Sequence, residues 1–179
     1  MDYKIKIMSS EDMKRTLIRL AHQIIEKNDG VDNLCLIGIK TRGIPLAKRI
    51  ADNIESFENK KIEVGELDIT LYRDDLSRIN IDPIINKTNV PFSIEGKTVV
   101  LVDDVFFTGR TARAAMDALV KLGRPAKIQL CELIDRGHSE LPIKANFVGK
   151  NIPTARNEIV SVKVKEIDGE DIVIIEDKK

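Results

Sequence analysis

Apolar residues along the chain recur with two rhythms, one helical and one extended, and the two alternate. From about Glu11 to Lys27, Met13, Leu17, Leu20, Ile24 and Ile25 recur at helical spacing. Ser9 or Ser10 opens that helix, with Asp12 placed for a capping box. Leu34 to Ile39 is an apolar run of strand length that ends in Lys40-Thr41-Arg42-Gly43. A second helix follows, with Pro45 in its first turn and Leu46, Ala47, Ile50, Ile54 and Phe57 on its buried face. From Ile62 to Tyr72, alternation at Leu67, Ile69 and Leu71 predicts a half-buried strand, with Gly65 marking a bulge. Residues 73–97 are polar, contain Asp74-Asp75, Pro83 and Pro91, and are expected to form a flexible lid. Val99 to Val102 predicts a buried strand, and Ala112, Ala115, Met116 and Leu119 the apolar face of the helix after it. Strands are also expected over Lys127 to Ile134 and Ala145 to Val148. A hairpin over about 158–176, turning at Asp168-Gly169, closes the chain with an acidic tail.

Strands alternating with helices imply one α/β domain over 1–179, a doubly wound and mainly parallel sheet flanked by helices. Such sheets bind ligands where their strands end. Lys40–Gly43, Arg73–Asp75, Asp103–Thr111 and Asp135–His138 all follow predicted strands, so four loops converge on one expected cleft.

The richest of these loops is Asp103-Asp104 followed by Thr108-Gly109-Arg110-Thr111. The free N–H groups and dipole at a helix start favour an anion, and a glycine there permits close approach. Two carboxylates beside a phosphate are suited to the hydroxyls of a sugar, so the stretch suggests a ribose 5-phosphate site. No Gly-Lys-Ser/Thr follows a glycine-rich run, and no G-x-G-x-x-G is present. On the first helix, Arg15, Arg19 and His22 share the polar face, which by pattern alone is a solvated surface.

Composition narrows the partners. With 29 basic and 29 acidic residues the net charge is zero, so any nucleic-acid binding must rest on a local patch. Aromatics make up only 4%, which argues against base-stacking platforms. Cys35 and Cys131 sit in apolar runs without a C-x-x-C spacing, as expected for reduced thiols of a cytoplasmic protein. The start of the chain lacks the apolar core of a signal peptide, and no run approaches transmembrane length.

The Asp103–Thr111 stretch resembles the phosphoribosyl-diphosphate signature of type I phosphoribosyltransferases. Ile39-Lys-Thr-Arg-Gly43, Gly65 to Asp75, Asp135-Arg-Gly-His138 and Gly149-Lys-Asn-Ile-Pro-Thr154 extend the likeness to nearly the whole chain. Together they resemble the family of bifunctional pyrimidine operon attenuators and uracil phosphoribosyltransferases. The resemblance implies conversion of uracil and phosphoribosyl diphosphate to UMP and pyrophosphate, and binding of pyrimidine-operon leader RNA that responds to uridine nucleotides. Asp103 and Asp104 would hold the ribose hydroxyls, and Thr108, Gly109, Arg110 and Thr111 the 5-phosphate. Thr41, Arg42 and Gly43 would hold the leaving pyrophosphate, with Arg42 catalytic beside the two aspartates. Mg²⁺ would be held mainly through substrate oxygens. Arg73 would stand at the base of the lid, and Val148, Gly149 and Lys150 would meet the uracil edge.

The same resemblance implies RNA contact for Arg19 and His22, on one face of a homo-oligomer that would also carry Arg15, and Lys27, His138, Lys144 and Lys150 would extend that basic RNA-binding surface. The chain departs from it at Ile18 and Ser139, so RNA binding is expected to rest on few ionic contacts. Phe107 stands where purine-specific relatives often carry an acid, which favours a pyrimidine. A purine salvage phosphoribosyltransferase without RNA binding is the alternative enzyme. An RNA-binding regulator that keeps the pocket only as a sensor is the alternative of another class.

Overall fold

A computed structural model of the chain describes residues 4–70 and 88–178. Its elements run β1 (Ile5–Met8), α1 (Ser10–Lys27), β2 (Leu34–Ile39), α2 (Gly43–Glu58), β3 (Glu63–Leu67) and β4 (Thr98–Phe106). After these come α3 (Arg110–Val120), β5 (Lys127–Asp135), β6 (Phe147–Asn151), β7 (Glu158–Lys163), α4 (Lys165–Asp168) and β8 (Ile172–Asp177). Five parallel strands form the main sheet in the order β3-β2-β4-β5-β6, and β1-β8-β7 form a separate antiparallel sheet, the hood.

The sheet is buried on both faces, as its unbroken apolar strands require; every residue of β2 is buried. Beneath α1 and α2, Leu17, Leu20, Leu46 and Ile50 pack on Leu36, Val100, Val102 and Cys131, and the hood's Val162 and Val173 join that layer. On the opposite face, Ala115 and Leu119 of α3 pack with Cys35, Ile37, Leu101 and Ile94. The two thiols therefore lie in different layers, both free and buried. Burial pushes the Cys35 thiol up to about 11 and raises that of Cys131 as well.

The capping box of α1 forms. Ser9 Oγ accepts from the Asp12 N–H at 3.2 Å, and Asp12 Oδ2 accepts from the Ser9 N–H at 2.9 Å. Such a cap stabilises a helix by about 1 kcal/mol. Phe57 is exposed rather than core, and its ring stacks on His22 with centroids 4.1 Å apart.

Five expectations change. β3 is shorter than Ile62 to Tyr72, because Asp68 turns back to accept from Thr70 N and Oγ1; residues 71 and 72 lie outside the described residues. Gly65 makes no bulge: β3 pairs with β2 in unbroken register, and a Cβ there would lie 3.0 Å from Val90 Cγ2. β6 starts two residues later than expected and runs through Gly149-Lys150-Asn151. The closing hairpin has a helical turn, α4, between its strands and gains β1 as a third strand. Of the expected lid, residues 88–97 are fastened to the domain. Asn89 and Glu66 exchange backbone hydrogen bonds at 2.8 Å, and Ile94 is buried. Residues 73–87, including Arg73, lie outside the described residues.

Candidate active site

β4 runs on through both acids instead of ending before them. Its pairing with β2 stops at Gly38 opposite Val102, whereas pairing with β5 continues through Asp103 opposite Glu132 to Phe106 opposite Asp135. One edge of β4 is thus open at Asp103, and the start of α2 descends onto it. A Cβ at Gly43 would lie 2.3 Å from the Val102 carbonyl oxygen, and one at Gly38 would lie 2.5 Å from Ile44 Cα. These two glycines let the Lys40–Gly43 turn, whose Lys40–Thr41 peptide is cis, sit against the backbone that carries the acids.

Asp103 is buried, and its Oδ1 accepts the Asp104 N–H at 2.9 Å; Asp104 Oδ1 accepts the Val105 N–H at 2.9 Å. Next to them Gly109, at φ +92°, caps α3 without any side-chain cap. Thr108 Oγ1 accepts from the Arg110 N–H at 3.3 Å, which shapes the turn. A cavity of about 320 Å³ opens there, lined by Phe107, Thr108, Gly109, Arg110, Thr111 and Glu132 among others. Its polar wall is therefore a helix N-terminus with two threonines, suited to a phosphate. The Arg110 guanidinium faces Glu140, at 3.3 Å.

Arg42 is tied to the hood. Its Nε and Nη2 donate to the two Asp168 oxygens at 3.0 and 2.7 Å, a bidentate pair that holds the Asp168 carboxyl below its usual range. Arg49 likewise grips Glu166 at 2.6 Å and Asp171 at 2.8 Å, so the hood is fixed to α2 beside the turn. Lys40 reaches Asp68 at 3.7 Å.

The loop after β5 closes on the turn after β6. Arg136 is buried, donates to Thr154 Oγ1 and the Ala155 carbonyl at 3.1 Å each, and lies 4.0 Å over the Phe107 ring. His138 Nε2 is 2.6 Å from the Thr154 carbonyl oxygen, and its ring meets Phe107 edge-on. Phe107 thus anchors a small cluster at the rim of the cavity.

The structure brings Thr41, Arg42, Gly43, Asp103, Asp104 and Thr108 to Thr111 to one end of the sheet. Val148, Gly149 and Lys150 lie on its outer strand, β6. Of the residues expected to meet RNA, Arg15, Arg19, His22, Lys27, Lys144 and Lys150 are exposed, and His138 is partly covered. Arg15 pairs with Glu11 at 3.3 Å. Arg19 is not simply solvated: it donates to the carbonyls of Val148 and Gly149.

The sequence pattern assigns no role to Glu132 or Asp168, and gives Arg136 only a place in the Asp135–His138 loop. Glu132 left a signal, a lone acid at an inward position of the apolar run Leu130 to Ile134. It is 2% exposed, and its Oε2 is the one buried side-chain N or O atom among the described residues with no hydrogen-bond partner. Burial first, then the charges of Asp103, Asp104 and Asp135, raises its carboxyl well above the usual range. A raised folded-state value confers stability that is complete below about pH 4.3, the unfolded value, and lost as pH climbs toward the folded one. Glu132→Gln should therefore melt above the wild type at pH 8, with the gap closing by about pH 4. A pH-independent difference in melting temperature would show that Glu132 does not titrate in this way.

Residues 6–167 match the phosphoribosyl transferase domain. The chain is 58% identical to the bifunctional protein PyrR of Thermus aquaticus over all of this chain and 99% of the relative. It is 54% identical to the bifunctional protein PyrR of Clostridioides difficile, covering 97% of this chain and 98% of the relative. In three dimensions it is similar to the hypoxanthine phosphoribosyltransferase of Trypanosoma cruzi, with a TM-score of 0.75 at 18% identity over 99% of this chain and 98% of that one. A hypoxanthine-guanine phosphoribosyltransferase of Bacillus anthracis is similar at a TM-score of 0.73 and 17% identity, over 97% of this chain and 98% of that one. At that identity the likeness concerns the fold. Two acids on the open edge of β4, a glycine-seated turn and an uncapped helix start thus stand in a chain that belongs to the phosphoribosyl transferase family and, within it, to the bifunctional PyrR proteins.

Proposed function

We propose that the protein transfers the phosphoribosyl group of phosphoribosyl diphosphate to uracil, giving UMP and pyrophosphate, and that it also binds pyrimidine-operon leader RNA in response to uridine nucleotides. The observation that carries the enzymatic half is the placement of Asp103 and Asp104 between two anion-suited turns, one at Gly43 and one at Gly109. The α3 N-terminus, with Thr108 and Thr111, takes the 5-phosphate. Asp103 and Asp104 take the ribose 2- and 3-hydroxyls, and the Thr41-Arg42-Gly43 turn takes the diphosphate. As the bond from C1 to the diphosphate lengthens, positive charge grows on the ribose, and fixed carboxylates stabilise it without reorganising. The pyrophosphate leaves with the bonding pair, and a ring nitrogen of the base closes on C1 and gives up its proton to the departing pyrophosphate or to water.

Mg²⁺, held mainly through the diphosphate oxygens, would supply positive charge to offset that of the leaving group. The carboxylates at this end of the sheet are hard oxygen donors of the kind it accepts, directly or through its water shell. Phe107 supports a pyrimidine, because a phenyl ring covered by Arg136 cannot exchange a proton with a purine nitrogen. Two free, buried thiols suit a reducing cytoplasm. No described helix is long and apolar enough to cross a membrane. For the regulatory half, the exposed face of α1 carries Arg15, Arg19, His22 and Lys27, and a homo-oligomer would present it more than once.

Pyrophosphate release measured side by side with uracil, hypoxanthine and orotate tests the enzyme. Uracil should be turned over and the other two should not; turnover of hypoxanthine alone would establish the purine alternative. In the same preparation, a pyrimidine-operon leader hairpin should bind more tightly than an unrelated hairpin of equal length, with UMP strengthening the complex. Equal binding of both hairpins at every salt and UMP concentration would leave a salvage enzyme alone.

A further inference from the structure

We infer that Arg19 is a positioning residue for the base site: its guanidinium holds the Val148 and Gly149 carbonyls of β6, so that α1 and the base-facing strand share one side chain. This rests on the assignment of the Val148–Lys150 segment to the uracil edge. β6 is the outermost strand of the sheet, so the edge turned away from β5 has no strand to satisfy its polar groups. Arg19, on the helix packed against this strand, supplies donors to two of its successive carbonyls. Nη1 reaches the Val148 carbonyl at 3.4 Å, and Nη2 donates to the Gly149 carbonyl. Gln23, one turn on, steadies the guanidinium through Nη1 at 3.4 Å.

The approach of α1 depends on a missing side chain. A Cβ at Gly149 would lie 2.8 Å from Thr16 Cγ2 on α1 and 2.3 Å from the Leu133 carbonyl oxygen on β5. Gly149 is therefore pinched between a helix and a strand, and the guanidinium reaches over the pinch. A peptide unit is planar, so fixing a carbonyl also fixes the N–H across the bond. Holding the Val148 and Gly149 carbonyls sets the direction of the N–H groups of Gly149 and Lys150. Those are the donors and acceptors with which a backbone segment can read the edge of a pyrimidine. A lysine at this position would keep the charge but lose the planar fork that spans two carbonyls.

The consequence for catalysis is selective. Loosening these peptides weakens recognition of the base, while the phosphate and diphosphate turns on β4 and α2 stay in place. The test compares wild type, R19A, R19K and K14A, an exposed substitution elsewhere on α1, by steady-state kinetics with each substrate varied. R19A should raise the KM for uracil about tenfold while the KM for phosphoribosyl diphosphate and kcat stay within about twofold. R19K should recover part of the loss, and K14A should match wild type. A wild-type KM for uracil in R19A would overturn the role of Arg19, as would equal rises in both KM values with a lower melting temperature. Wild-type protein that releases no pyrophosphate with uracil would overturn the base assignment itself, and the two failures are told apart by that first measurement.

Discussion

Asp104→Asn is expected to lower kcat by about 10²–10³-fold, the usual cost of removing preorganised charge from a transition state. Asparagine keeps the shape of the side chain and an oxygen to accept the Val105 N–H, the 2.9 Å contact that Asp104 makes in the fold. What it lacks is the negative charge opposite a ribose ring that becomes positive only as the bond to the diphosphate breaks. The loss should therefore fall on kcat, with far less change in the KM for phosphoribosyl diphosphate. An unchanged melting temperature would certify the fold. Near-normal turnover in such a protein would remove Asp104 from the chemistry.

Gly43→Ala is the second large effect, and its origin is steric. The added methyl would meet the Val102 carbonyl oxygen at 2.3 Å and Asp103 Cα at 3.3 Å. Both are backbone atoms of a central strand, so the start of α2 must move instead. Such overpacking costs about 1–3 kcal/mol, or a fall in melting temperature of roughly 2–12 °C for a chain of this size. The displaced turn carries Thr41 and Arg42, and a shift of about 1 Å in a positioning group can cost 10²-fold in rate. Differential scanning calorimetry and kcat/KM for phosphoribosyl diphosphate should fall together. Wild-type values for both would mean that the turn is not seated on β4 as described.

Much of the scaffold was legible because its signals are local. Ser9 and Asp12 lie three residues apart, so the cap of α1 could be read from a short window, and β2 is a single apolar run. The Asp103-Asp104 pair at a strand end was legible for the same reason. β1 was not found, because its four residues gain stability only by pairing with β8 at the other end of the chain. β6 was placed too early because Gly149, Lys150 and Asn151 are weak strand formers; packing under α1 overrides that preference. The Arg42–Asp168 pair joins a strand-end turn to the hood, and nothing near either residue announces the other. Gly65 illustrates the converse error: a glycine in a strand signals either a bulge or a close neighbour, and only the fold distinguishes Val90 from a bulge.

The two cysteines offer a clock for breathing of the molecule. The chain has no tryptophan, so intrinsic fluorescence says little about its interior. Cys35 lies in the layer under α3 and Cys131 in the layer under α1 and α2, each fully buried and held protonated. An alkylating reagent reaches either thiol only when its own layer opens. Peptide-resolved labelling therefore times the two halves of the interior separately, and a shared rate would mark a single cooperative unit.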